Sequence, residues 1–140
     1  MQRNNLEKIK TIGDSYMAAG GLPIENRSHP LDAVAAAREI LRFVEQQNAR
    51  NAAAGKPQWR IRIGIHTGEV VAGVVGSKKF AYDIWGDTVN MASRMESKCP
   101  PGDINISEAT QKLVIQSVQC EYRGELEVKN KGKLGMYLVK

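Results

Sequence analysis

Residues 59–95 read WRIRIGIHTGEVVAGVVGSKKFAYDIWGDTVNMASRM, and the fold turns on this stretch. Its first part alternates. Trp59, Ile61, Ile63, Ile65 and Thr67 share one face of a strand, and Arg60, Arg62, Gly64 and His66 share the other. Gly68 is a candidate turn. Val70 to Val75 reads as a second, more fully buried strand, in which Gly73 permits close backbone approach. Phe80 to Trp85 is a third extended run, ended by Gly86-Asp87, and Asp87 is suited to N-cap a helix from Thr88. On that helix Asn90 and Arg94 are four residues apart, so they project from one face near its start. A strand that delivers Asp83, followed by a helix that offers an amide and a guanidinium, has the makings of a site.

The flanking chain supplies the rest of an α+β pattern. Leu6 to Ile12 and Ser15 to Ala19 form a predicted hairpin with Gly13-Asp14 at its tip. Pro30 suits a helix entry, and Leu31, Val34, Ala37, Leu41 and Val44 recur at helical spacing to about Asn48. Asn51 to Gln58 reads as an exposed, mobile connector. Pro100-Pro101-Gly102 stops the central helix. A short strand over Asp103 to Ile106 leads into a helix opened by Ser107-Glu108. Cys120 to Val128 and Gly135 to Val139 close the chain as an antiparallel pair around a basic turn, Lys129 to Lys133. His29 and His66 read as structural histidines.

Composition excludes several classes. The 140 residues suit one domain or part of one, with an ordinary apolar fraction of 42%. No apolar run approaches a membrane span, and residues 1–10 lack a signal-peptide core. The net charge is +5, but the basic residues are scattered and aromatics are few, which argues against nucleic acid. A polyanionic small substrate suits the sign as well. Cys99 and Cys120 lack zinc-ligand spacing and read as reduced cytoplasmic thiols.

YDIWGDTVNMASRMES, with RIGIHTGEVVAGVVG upstream and KTIGDSYM in the first hairpin, resembles the class III nucleotidyl cyclase catalytic domain, the adenylate and guanylate cyclase family. The resemblance runs from Leu6 to Val139. It implies an α+β, ferredoxin-like antiparallel sheet with helices packed on one face. It also implies residue roles. Lys10 and Asp83 would select the purine, Asn90 would orient the ribose, and Arg94 would stabilise charge in the transition state. Lys129 would reach the triphosphate, although Asn130 stands where the family more often has Gly. Asp14 would hold metal, one of two aspartates serving two divalent cations, Mg²⁺ or Mn²⁺. The family's site lies between two subunits, so the implied partners are ATP and either a second copy or a complementary cyclase half. Such domains often hang from membrane or sensor modules.

The implied substrate follows from hydrogen-bond polarity. Adenine presents a donor at N6 and an acceptor at N1; a carboxylate accepts and an ammonium donates. Asp83 with Lys10 therefore matches adenine, whereas guanine reverses both edges. The family's usual opening strand, with the first metal aspartate and two following helices, has no counterpart here. The expectation is thus an adenylate cyclase domain truncated at its N-terminus, with one metal ligand and an inner strand missing. A non-catalytic cyclase-homology module that binds nucleotide or dimerises is the alternative. A diguanylate cyclase is disfavoured for want of a G-G-[DE]-E-F-like loop.

Overall fold

The structure, a computed structural model, describes residues 6–12, 15–21, 27–75, 81–128 and 132–140. Eight strands and three helices follow in chain order among these residues. They are β1 (Leu6–Ile12), β2 (Ser15–Gly20), α1 (His29–Ala53), β3 (Ile63–Ile65), β4 (Val71–Val75), β5 (Ala81–Trp85), α2 (Asp87–Ser97), β6 (Ile104–Ser107), α3 (Glu108–Val114), β7 (Cys120–Val128) and β8 (Gly132–Val139). The strands form a four-stranded sheet in the order β3-β6-β8-β7 and two antiparallel hairpins, β1-β2 and β4-β5. β3 runs parallel to β6, and the other neighbours in the sheet are antiparallel. The sheet is therefore mixed.

Alternation along β6 explains the layers. Ile104 and Ile106 join Val34 and Ala37 of α1, Val114 of α3 and Val118 in one apolar cluster. Asn105, between them, points to the other face, where its amide meets Met95 of α2 and Met136 of β8. Met91, Met95, Leu126 and Met136 form the second cluster there. Helices thus cover both faces rather than the single face expected from the sequence. The α2 helix has an apolar stripe of its own in Met91 and Met95, and it can bury that stripe only against the opposite side of the sheet.

Three local readings change. Gly86, with φ 121°, is the N-cap of α2, and Asp87 is the first helical residue, where a carboxylate favours the helix dipole without capping it. The ladder of β3 is confined to Ile63–Ile65, shorter than the alternating run from Trp59. The α1 helix continues to Ala53, into the span read as connector. The residues after it are braced: Asn48 Nδ2 donates to the Trp59 carbonyl at 2.7 Å, and the Trp59 amide donates back to Asn48 Oδ1 at 2.7 Å. Pro30 lies in the first turn of α1, as its missing N–H allows.

Candidate active site

The α2 helix is the centre of the candidate site, and its placement is dictated by one glycine. Gly64 of β3 has no room for a side chain: a Cβ there would lie 2.6 Å from the Met95 carbonyl carbon and 2.7 Å from the Ala92 carbonyl oxygen. The helix therefore lies directly on the β3 backbone. At its C-terminal end Asn105 Nδ2 donates to the Met95 carbonyl at 2.9 Å, an acceptor in the last turn of the helix. Asn105 is fully buried, and its Oδ1 has no hydrogen-bond partner among the described residues. At the other end Thr88 Oγ1 donates to the Glu69 carbonyl at 2.6 Å, with Gly68 close beneath it.

A polar cluster holds the loop after β3. His66 Nδ1 lies 2.6 Å from Ser107 Oγ, and Thr67 Oγ1 lies 2.8 Å from Thr110 Oγ1. Ser107 also N-caps α3 through the Thr110 amide. Both hydroxyl residues from the α3 side are buried. His66 is thus a bracing residue, in keeping with its structural reading. His29, the first residue of α1, packs over Gly20 and Gly21 at the end of β2.

On this fixed helix Asn90 and Arg94 share a face, and both are exposed. Lys10 lies on β1, in register with Met17, and Asp83 lies on β5, in register with Gly73. β1 lies beside β5, and β5 beside α2. The fold therefore brings together the strand that carries Lys10, the strand that carries Asp83 and the helix that carries Asn90 and Arg94. Asp14 and Lys129 lie outside the described residues. Among the described residues no three His, Cys, Asp or Glu side chains come close enough to hold a metal ion.

The bracing contacts of Thr88 and Asn105, and that of Ser107 with His66, are not marked by the sequence pattern, which shows Ser107 only as the opening of α3. Asn105 and Ser107 carried the one available signal, as polar residues alternating with isoleucine in a strand. Both cysteines are free, and burial pushes the Cys99 and Cys120 thiols above their ordinary range.

All 140 residues match the family model described as the adenylate and guanylate cyclase catalytic domain. The chain belongs to that cyclase catalytic-domain family. It is 39% identical over 143 residues to the receptor-type guanylate cyclase gcy-10 of Caenorhabditis elegans, an alignment covering 98% of this chain and 13% of that protein. It is 38% identical over 146 residues to adenylate cyclase type 9 of Gallus gallus, covering 96% of this chain and 10% of that one. Guanylate cyclases predominate among the named relatives. The cyclase fold is matched by the catalytic core of a rhodopsin-guanylyl cyclase with converted specificity, solved in complex with ATPalphaS. There the TM-score is 0.86 and the identity 36%, over 99% of this chain and 73% of that one. The chain thus spans a small fraction of its curated relatives and about three quarters of the solved cyclase domain. No helix among the described residues is long and apolar enough to cross a membrane.

Proposed function

We propose that this cyclase domain takes ATP and converts it to 3′,5′-cyclic AMP and pyrophosphate for intracellular signalling. The observation that carries the base assignment is the pair Lys10 and Asp83, on strands that the fold places side by side. An ammonium and a carboxylate match the N1 acceptor and N6 donor of adenine and mismatch both edges of guanine. A mispaired polar edge in a closed site discriminates strongly. The predominance of guanylate cyclases among the relatives does not decide the base. The rhodopsin-guanylyl cyclase core of converted specificity is itself described with an adenine nucleotide analogue.

In the proposed reaction the ribose 3′-oxygen attacks the α-phosphorus. The bond from that phosphorus to the bridging oxygen breaks, pyrophosphate leaves, and the hydroxyl proton passes to solvent. Asn90 orients the ribose by hydrogen bonding. Arg94, one turn further along the same face, donates to the phosphoryl oxygens as charge builds on them. Lys129 neutralises the triphosphate. Two divalent cations, Mg²⁺ or Mn²⁺, would be shared by Asp14 and a carboxylate from outside this sequence.

The same reading makes the chain part of a domain that works as a dimer, with a second copy or a complementary cyclase half. Two observations support it. Among the described residues β3 pairs only with β6, and the chain covers 73% of the solved neighbour. In an active assembly containing this chain, Lys10→Glu with Asp83→Cys should shift product from cyclic AMP toward cyclic GMP when ATP and GTP are supplied equally. An unchanged product ratio in an active double variant would remove the base assignment.

A further inference from the structure

The return segment after α1 carries a second feature, built from residues that have no part in the proposed nucleotide site. Phe43 and Trp59 are each 67% exposed, an unusual outlay of aromatic surface. Between them lies a groove of about 500 Å³, lined by Phe43, Val44, Gln47, Asn51, Lys56 and Pro57 among others. Phe43, Gln47 and Asn51 follow one another at four-residue spacing, so one wall is a straight stripe along α1.

The other wall is held rigidly. Asn48 pairs with both the N–H and the C=O of Trp59, as a neighbouring strand would. Asn51 Nδ2 donates to the Pro57 carbonyl at 3.1 Å, and the Lys56 amide donates to the Asn51 carbonyl at 2.7 Å. Two asparagines of one helix are thus used to fix the segment that presents an exposed tryptophan. A tryptophan whose backbone is held before binding loses less entropy when covered, and tryptophans are enriched among the residues that dominate interface energetics.

Charge selects the occupant. From residue 42 to residue 60 the chain carries Arg42, Arg50, Lys56 and Arg60 against the single acid Glu45, and all five are exposed. A second copy docking by two-fold symmetry would set these cations against themselves. A flat anionic membrane cannot follow a groove walled by α1 on one side and by residues 56–59 on the other, and would leave its apolar lining uncovered. We propose that this groove docks an acidic amphipathic helix of a partner protein. Its apolar stripe would cover Phe43 and Trp59, and its carboxylates would face Arg42, Arg50, Lys56 and Arg60.

The test uses the 140-residue chain and two designed helical peptides with the same leucine stripe, one flanked by Glu and one by Lys. Calorimetry gives affinity, and tryptophan emission reports the burial of Trp59, with Trp59→Phe separating it from Trp85. The expected result is saturable binding of the acidic peptide, at least about tenfold tighter than that of the basic one, with a blue shift lost in Trp59→Phe. Added salt should weaken it. Phe43→Ala and Lys56→Glu/Arg60→Glu should each lower affinity about tenfold while the melting temperature is held. Any of four results would overturn the proposal: no binding, equal binding of both peptides, self-association of the chain that Phe43→Ala abolishes, or binding to phosphatidylserine vesicles without peptide binding.

Discussion

At the scale of the residue, Arg94 is the most exacting assignment. If it meets charge that exists only in the transition state, Arg94→Ala should lower kcat by about 10²-fold or more in an active assembly and leave ATP binding little changed. A rise in KM at constant kcat would make it a ground-state binder. The two cysteines give a simpler check of the core. Burial raises both thiols, and Cys99 is the more enclosed. A raised thiol holds its proton as pH climbs past the ordinary cysteine value, so less thiolate is present at any given pH. Alkylation near pH 8 should therefore label Cys120 before Cys99, with both slow against a free peptide thiol; mass spectrometry resolves the order. Asn90 and Arg94 were legible in the sequence because helical spacing alone puts them on one face. Asn105 was not. A polar residue between isoleucines reads as an exposed strand position until a helix is known to cover it.

At the scale of the element, α2 is positioned by what β3 lacks. Gly64 sits where any side chain would strike the helix backbone, which cannot move aside as a side chain could. Gly64→Ala should therefore cost about 3 kcal/mol, the upper end for overpacking. It should also shift the face that carries Asn90 and Arg94. Urea unfolding measures the first effect and turnover the second; an alanine variant of native stability would show that the helix does not rest there. The period-two pattern of residues 59–67 announced a strand but could not say that its glycine is a landing site, because close packing across elements leaves no local trace. The span after α1 shows the opposite failure. Ala, Gly and Pro suggested a loose connector, while side-chain hydrogen bonds from Asn48 and Asn51 fix it.

At the scale of the whole molecule, the order of elements was legible almost throughout: hairpin, helix, strand, hairpin, helix, strand, helix, terminal pair. Each element carries its own period and its own stop signal. The arrangement of helices on both faces was not legible, since amphipathic stripes show that a face is buried but not against which side of a sheet. The same limit applies to the site. Lys10 lies far from Asp83 and the α2 pair in sequence, and the strand that carries it meets theirs only through the packing of β1 against β5. On the proposed function, this chain contributes the base-reading and transition-state half of an ATP cyclase. The most direct measurement mixes the chain with a cyclase half that supplies the metal carboxylates, adds Mn²⁺ with equimolar ATP and GTP, and quantifies both cyclic nucleotides. The prediction is little product from the chain alone and, from the mixture, cyclic AMP in clear excess over cyclic GMP. No turnover in a verified mixed dimer, or cyclic GMP as the main product, would contradict it.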